Sequence, residues 1–307
     1  MAVAELLLLI CGGVVAGAFG ALLGLGGGVL IVPLLTLGFG LPLREAVGAS
    51  LVCVIVTSSA AASVYLQRDV ANLRLGMTLE MFTAIAAMAG GLVAFLVPDR
   101  LLAVMFAALL MYVALTMVRA RDARDNRDAG GAPNGRDSGH TSGRPNGDSS
   151  GEVSPEAAER AERPSGGAEP AGSGGLMASL SGPGYRVRNL GRGVLGSLLA
   201  GVVSALFGVG GGIVKVPVMN LIMGVPIRVA TATSNLMIGV TASAGALIYL
   251  FRGGIDPYVA APTALGVFAG ASLASRLSDR VDLGILRLLF VAVLVITAAQ
   301  MALRGFG

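Results

Sequence analysis

The chain has 307 residues, 54% of them apolar and only 13% charged, with a mean hydropathy of +0.79. Those proportions exclude an ordinary soluble domain and place it among polytopic membrane proteins. The net charge of +4 is no sign of nucleic-acid binding, because the excess is small and much of the charge lies in one segment between two apolar halves.

In chain order, Ala2 to Leu23 is the first apolar run and is long enough to span, at about 20 residues for a hydrocarbon core. It lacks a basic leading region and a small-residue cleavage site, so it reads as a retained span rather than a signal peptide. Gly24-Leu25-Gly26-Gly27-Gly28 follows, and then Val29 to Phe39, too short to cross as a helix and closed early by Pro33. Arg44 to Tyr65, Leu75 to Val97 and Leu101 to Val118 are three further full-length runs. The stretch from Arg119 to Asn189 changes character: it is rich in Gly, Ser, Pro, Asp, Glu and Arg and nearly free of aliphatic clusters, so it reads as a disordered tether. His140, the sole histidine, lies in it and reads as inert. Arg119, Arg121 and Arg124 before the tether and Arg186, Arg188 and Arg192 after it put that tether in the cytoplasm. The plan then repeats: Leu190 to Phe207, the short Ile213 to Met223, Val229 to Phe251, Val259 to Leu277 and Leu283 to Leu303.

The repetition is also literal. Gly208-Val209-Gly210-Gly211-Gly212-Ile213-Val214-Lys215-Val216-Pro217 restates Gly24-Leu25-Gly26-Gly27-Gly28-Val29-Leu30-Ile31-Val32-Pro33. The match runs without a gap from Gly17 to Arg68, with roughly 23 of about 52 positions identical. It includes the pairs Pro42/Pro226, Arg44/Arg228, Ser50/Ser234, Thr57/Thr241 and Tyr65/Tyr249. The expected organisation is therefore an all-α polytopic protein of about eight spans and two broken segments. A first membrane repeat occupies 1–119, a cytoplasmic linker 120–189 and a second membrane repeat 190–307. The distribution of arginines outside the tether favours inverted over parallel repeats.

Three glycines in a row cost about 1 kcal/mol each in a helix interior, so the helix is expected to stop there. Non-helical backbone at membrane depth survives only where protein or a polar cavity covers it, and a half-helix N-terminus suits an anion. Glycine-broken segments at matching positions of two halves point to a transporter's binding site, and close helix packing through small residues is the competing explanation. The candidate substrate-binding residues are accordingly Gly26, Gly27, Gly28 and Pro33 in the first copy and Gly210, Gly211, Gly212 and Pro217 in the second. Ser50 and Thr57 join them, seven positions apart on one helical face, with Ser234, Asn235 and Thr241 from the second half.

Lys215, the only lysine, stands where the first copy has Ile31. An ionisable residue in a membrane segment is a functional candidate, to neutralise an anion, unless it snorkels to an interface. Glu80 is the acidic counterpart, a candidate for proton coupling but placed near the start of its span, where an interfacial position is expected. Arg44 and Arg228 mark span mouths. Cys11 and Cys53 match no metal or disulfide spacing, and no hydrolase or nucleotide-binding motif accompanies the glycines. No enzyme activity, cofactor or metal is expected, and transport without a nucleotide-binding module draws on an ion gradient, of H+ or Na+, or on the substrate's own.

The residues 17–33, Ala46-Val47-Gly48-Ala49-Ser50-Leu51 and Ala232-Thr233-Ser234-Asn235-Leu236 together resemble the TauE/SafE family of sulfite exporters, also called the toluene-sulfonate uptake permease family. The resemblance covers both halves and leaves out the tether. It implies a multi-pass carrier of the inner (plasma) membrane that moves sulfite, sulfonates or related sulfur-containing anions. Ala49 departs from the threonine often found before the serine, which the second copy keeps as Thr233. A carrier of a non-sulfur organic anion and a membrane scaffold without substrate are the alternatives.

Overall fold

The computed structural model describes residues 3–23, 27–67, 71–130, 187–277 and 283–306. Every regular element among them is helical. In the first half α1 spans Val3–Leu23, α2 Gly28–Pro33, α3 Leu43–Gln67, α4 Leu73–Leu96 and α5 Asp99–Gly130. In the second, α6 spans Leu190–Phe207, α7 Gly212–Pro217, α8 Ile227–Phe251, α9 Pro257–Leu277 and α10 Leu283–Phe306. Among the described residues, α1, α4, α5, α6, α8 and α9 each carry an apolar run long enough to cross a bilayer, and α10 a shorter one over Leu288–Leu303. α5 continues past Val118, where the sequence changes composition, to Gly130; residues 131–186 of the expected tether lie outside the described residues.

The two short helices are built alike. Each begins after a glycine in the left-handed region, Gly27 at φ 73° and Gly211 at φ 72°, and reaches a proline, Pro33 or Pro217. Without an N–H at that position the α-helical ladder loses a donor, and a π-helical turn follows, Leu34–Gly38 in one half and Val218–Ile222 in the other. The return to the next long helix is closed the same way twice, by Leu41 N–H to Leu35 O at 3.2 Å and Val225 N–H to Met219 O at 2.9 Å.

Packing between the halves is reciprocal. α1 lies on α9 and α4 on α6; α3 meets α9 as α8 meets α4; the equivalents α3 and α8 pack on each other, as do α5 and α10. Small residues let backbones approach: a Cβ on Gly17 would strike the Val267 carbonyl, and one on Gly201 the Thr83 carbonyl, the same contact in each half. Gly266 faces Ile10 and Gly270 faces Val14, so α1 and α9 run parallel. Leu51 faces Gly245 and Ser58 faces Gly239, so the equivalent helices α3 and α8 run antiparallel. Gly305 near the end of α10 likewise lies against Arg100 and Val104 at the start of α5.

Arg44 does more than mark a span mouth. Its guanidinium pairs with Asp99 at 3.0 Å, donates to the Val97 carbonyl at 2.7 Å and lies over the Phe95 ring, fastening α3 to the α4–α5 turn. The side chain of Arg228 falls outside the described residues.

Candidate functional site

The two glycine breaks meet in the middle of the bundle. Gly28 is so close to the Gly208 carbonyl that any Cβ there would collide with it, and Gly208 in turn abuts Val47 and Ser50 of α3. Ser50 donates its hydroxyl to the Gly208 carbonyl at 2.8 Å, with the Gly28 carbonyl at 3.3 Å, so one buried serine ties both breaks together. Gly210, at φ 81°, fits against Val54 of α3 and Ile238 of α8, and Gly212 against Ile238 and Ser234. The glycines thus serve close packing and positive φ at once, as the small-residue packing explanation expects. Gly26 lies outside the described residues.

On the far side of the second break the polar side chains are not all satisfied. Among the described residues, the buried hydroxyls of Ser234 and Ser204 have no hydrogen-bond partner. Ser234 Oγ sits 3.5 Å from where a Cβ on Gly212 would stand, and Ser204 Cβ 3.3 Å from the same point on Gly211. Ser50 and Ser234 are repeat equivalents, yet one is bonded and the other is not. A buried hydroxyl left without a partner costs about 1–3 kcal/mol, which sets this pair apart from the other buried hydroxyls around the breaks.

One turn further along α7, Lys215 is 1% exposed. Its ammonium donates to Glu80 Oε2 of α4 at 2.7 Å and to Thr241 Oγ1 of α8 at 2.6 Å, and the Thr241 hydroxyl donates to Glu80 Oε1 at 2.6 Å. The three groups close a ring: both carboxylate oxygens are bound, and the hydroxyl both accepts and donates. The interfacial position expected for Glu80 is therefore corrected. Asn72 caps α4 by accepting from Leu75 N–H at 3.1 Å, and the helix then carries Glu80 two turns inward onto Lys215. The snorkelling alternative for Lys215 falls with it.

The remaining candidates take structural positions. Thr57, the equivalent of Thr241, donates to the Val54 carbonyl at 3.1 Å and lies near Gly27. Asn235 is buried in α8, and its backbone carbonyl accepts the Ser58 hydroxyl at 2.6 Å, an α3–α8 tie. Thr233 accepts the Asn72 N–H at 3.0 Å. Pro33 borders an apolar crevice of about 790 Å³ between α1, the first π turn and α10, lined by Leu8, Phe19, Leu30 and Phe290 and remote in kind from the charged cluster. Pro217 closes α7 two residues beyond Lys215. Sequence reasoning missed the Glu80–Lys215 contact and Ser204. The one signal for the first was that a lone lysine and an acid, both in apolar spans, each need a partner.

A helical bundle of bilayer-crossing length, with two glycine-broken segments meeting at its centre and a charged cluster sealed beside them, defines a membrane transporter. The chain belongs to the Sulfite exporter TauE/SafE family, which matches residues 9–301. It is also similar to the "Probable membrane transporter protein YunE" of Bacillus subtilis (strain 168), at 23% identity over 300 residues, covering 95% of this chain and 96% of that one. No solved structure matches it significantly. The chain is accordingly a multi-pass protein of the cell membrane with a small-molecule substrate.

Proposed function

We propose that the chain is a secondary carrier of small sulfur-containing oxyanions, sulfite and sulfonates among them, that works as an exporter and receives its substrate at the second glycine break. The observation that carries this reading is the pair of buried hydroxyls, Ser204 and Ser234, that have no partner among the described residues and stand beside Gly211 and Gly212 of the break that leads to Lys215. Hydroxyls donate to anionic oxygens without the desolvation cost of a second full charge, while the lysine supplies the one positive charge a monovalent oxyanion needs. Sulfur as the central atom and export as the direction rest on the family description. The antiparallel run of the equivalent helices α3 and α8 supports inverted repeats, the arrangement in which two half-helices approach one central site from opposite sides of the membrane.

Counterflow in proteoliposomes with sulfite, taurine, sulfoacetate and acetate tests it. Exchange of the sulfur anions ahead of acetate is expected. Preference for acetate would make this a carrier of organic acids, and exchange of none would leave a membrane scaffold.

A further inference from the structure

Lys215 is occupied, and what occupies it is itself an oxyanion. The Glu80 carboxylate lies across the ammonium and the Thr241 hydroxyl with both of its oxygens bonded, in the way a bound sulfonate or sulfite would lie. We propose that Glu80 is the resident counter-anion of the Lys215 site: the incoming oxyanion displaces its carboxylate, and Glu80 takes up one proton as it leaves. This rests on the carrier reading above and adds the coupling ion and the stoichiometry.

The cost of an uncompensated charge in a low-dielectric interior calls for the proton. Before exchange the site holds one ammonium and one carboxylate and is neutral. Bringing in a monovalent anion without a proton leaves two anions beside one cation, and the displaced carboxylate buried without a partner. With a proton from water on the Glu80 carboxylate, the site holds ammonium, oxyanion and neutral carboxylic acid, and is neutral again. No bond other than O–H is made. One anion and one proton enter together, so the step moves no net charge.

Lys215 faces Glu80 from α7, and Thr241 from α8. The other charged residues of the helices packed on α4 are Arg192 in the first turn of α6 and Arg228 and Arg252 at the two ends of α8. Arg74 stands in the first turn of α4 itself. Tyr249 of α8 is engaged with the Ala205 carbonyl at 3.1 Å. The first half has no such device. At the offset shared by the Gly17–Val267 and Gly201–Thr83 contacts, Lys215, Glu80 and Thr241 correspond to Ile31, Ala264 and Thr57. The frame is duplicated and the ion pair is present in one copy, which suits one coupled site per molecule.

The proton can be counted directly. Methanesulfonate stays ionised across the working range, so any proton taken up on its binding belongs to the protein. Titration calorimetry of the detergent-solubilised wild type, with methanesulfonate and with sulfite in two buffers of different ionisation enthalpy near neutral pH, should give about one proton taken up per sulfonate bound. Glu80→Gln should bind methanesulfonate without proton uptake and, at mildly alkaline pH, at least about tenfold more tightly than wild type. Binding by Glu80→Gln where wild type shows none would equally support displacement. The double variant Glu80→Gln/Lys215→Met, which removes both charges together, should lose binding. If Glu80→Gln does not fold, the wild-type proton count decides alone. Sulfonate binding to wild type with no proton uptake overturns the proposal and leaves the carrier reading intact. Failure of both probes to bind wild type and Glu80→Gln alike overturns the carrier reading, and this proposal with it.

Discussion

Lys215 and Glu80 stand 135 positions apart in the chain, on either side of the central linker, and their charged atoms meet at 2.7 Å in the sealed interior of the bundle. Neither charge is tolerable there alone, since a single ion at membrane depth costs at least about 3 kcal/mol. Lys215→Met should therefore destabilise the protein by about 3–5 kcal/mol, the usual result of stranding one member of a buried pair. Glu80→Gln/Lys215→Met should recover most of that loss and still fail to transport. Thermal melting in detergent alongside counterflow checks both halves of the statement. A Lys215→Met protein that melts with wild type would mean the pair contributes nothing to the fold. Lys215→Arg keeps the charge and should impair exchange less than Lys215→Met does.

Ser50 and Ser234 are equivalent by repeat and opposite by circumstance. Ser50→Ala removes the hydroxyl that holds the Gly208 carbonyl and should cost about 1 kcal/mol or somewhat more of stability. Ser234→Ala removes a hydroxyl that has no partner among the described residues, so its stability should be unchanged or slightly raised while substrate binding weakens. Melting temperatures and apparent dissociation constants of the two variants separate the cases. Equal loss of stability in both would assign Ser234 a structural bond.

Gly28 and Gly27 differ in what forbids a side chain. At Gly28 the obstacle is the Gly208 carbonyl, a piece of backbone that cannot swing away, and Gly28→Val should prevent the halves from closing and yield little inserted, monodisperse protein. At Gly27 a Cβ would meet ordinary van der Waals contacts, none nearer than 3.8 Å, and the positive φ is what opposes substitution. Gly27→Ala should then cost about 1–2 kcal/mol and still insert. Yield and size-exclusion profiles of the two variants test this; a normal profile for Gly28→Val would deny the close approach of the breaks.

The inverted arrangement proposed above would fix the sides of the loops. The end of α3 and the end of α8 should open to opposite faces, so single cysteines beside Arg68 and beside Arg252, in a background without Cys11 and Cys53, should label from opposite sides of the membrane. Labelling of both from one side would require parallel repeats.

Much of this architecture is legible in the sequence, because the features that determine it are local. The apolar runs locate the long helices to within a few residues, except at the end of α5, which continues past its apolar run to Gly130, and the doubled glycine–proline segment gives the short helices and their equivalence. What periodicity cannot give is tertiary register. That Gly28 touches Gly208 rather than its equivalent Gly212, or that Glu80 lands on Lys215, depends on how α4 and α7 slide against α8, and hydropathy carries no information on that sliding. The position of Glu80 was misjudged for a related reason. Distance from the start of an apolar run measures depth only if the helix begins at the membrane surface, and α4 is capped at Asn72 and buried on α6 and α8 from its first turns. The broken symmetry of the hydroxyls is equally invisible from sequence, since Ser50 and Ser234 are the same residue at equivalent positions of the two repeats.

The central claim is that the second glycine break receives the substrate, and Gly211→Val in proteoliposomes tests it most directly. A Cβ on Gly211 would stand 3.0 Å from the Ala200 carbonyl oxygen and 3.3 Å from Ser204 Cβ, so a branched side chain there would crowd the Ser204 side of the break. Counterflow of radiolabelled sulfite should disappear in this variant while insertion and monodispersity in detergent persist. Normal sulfite exchange by Gly211→Val would contradict the account.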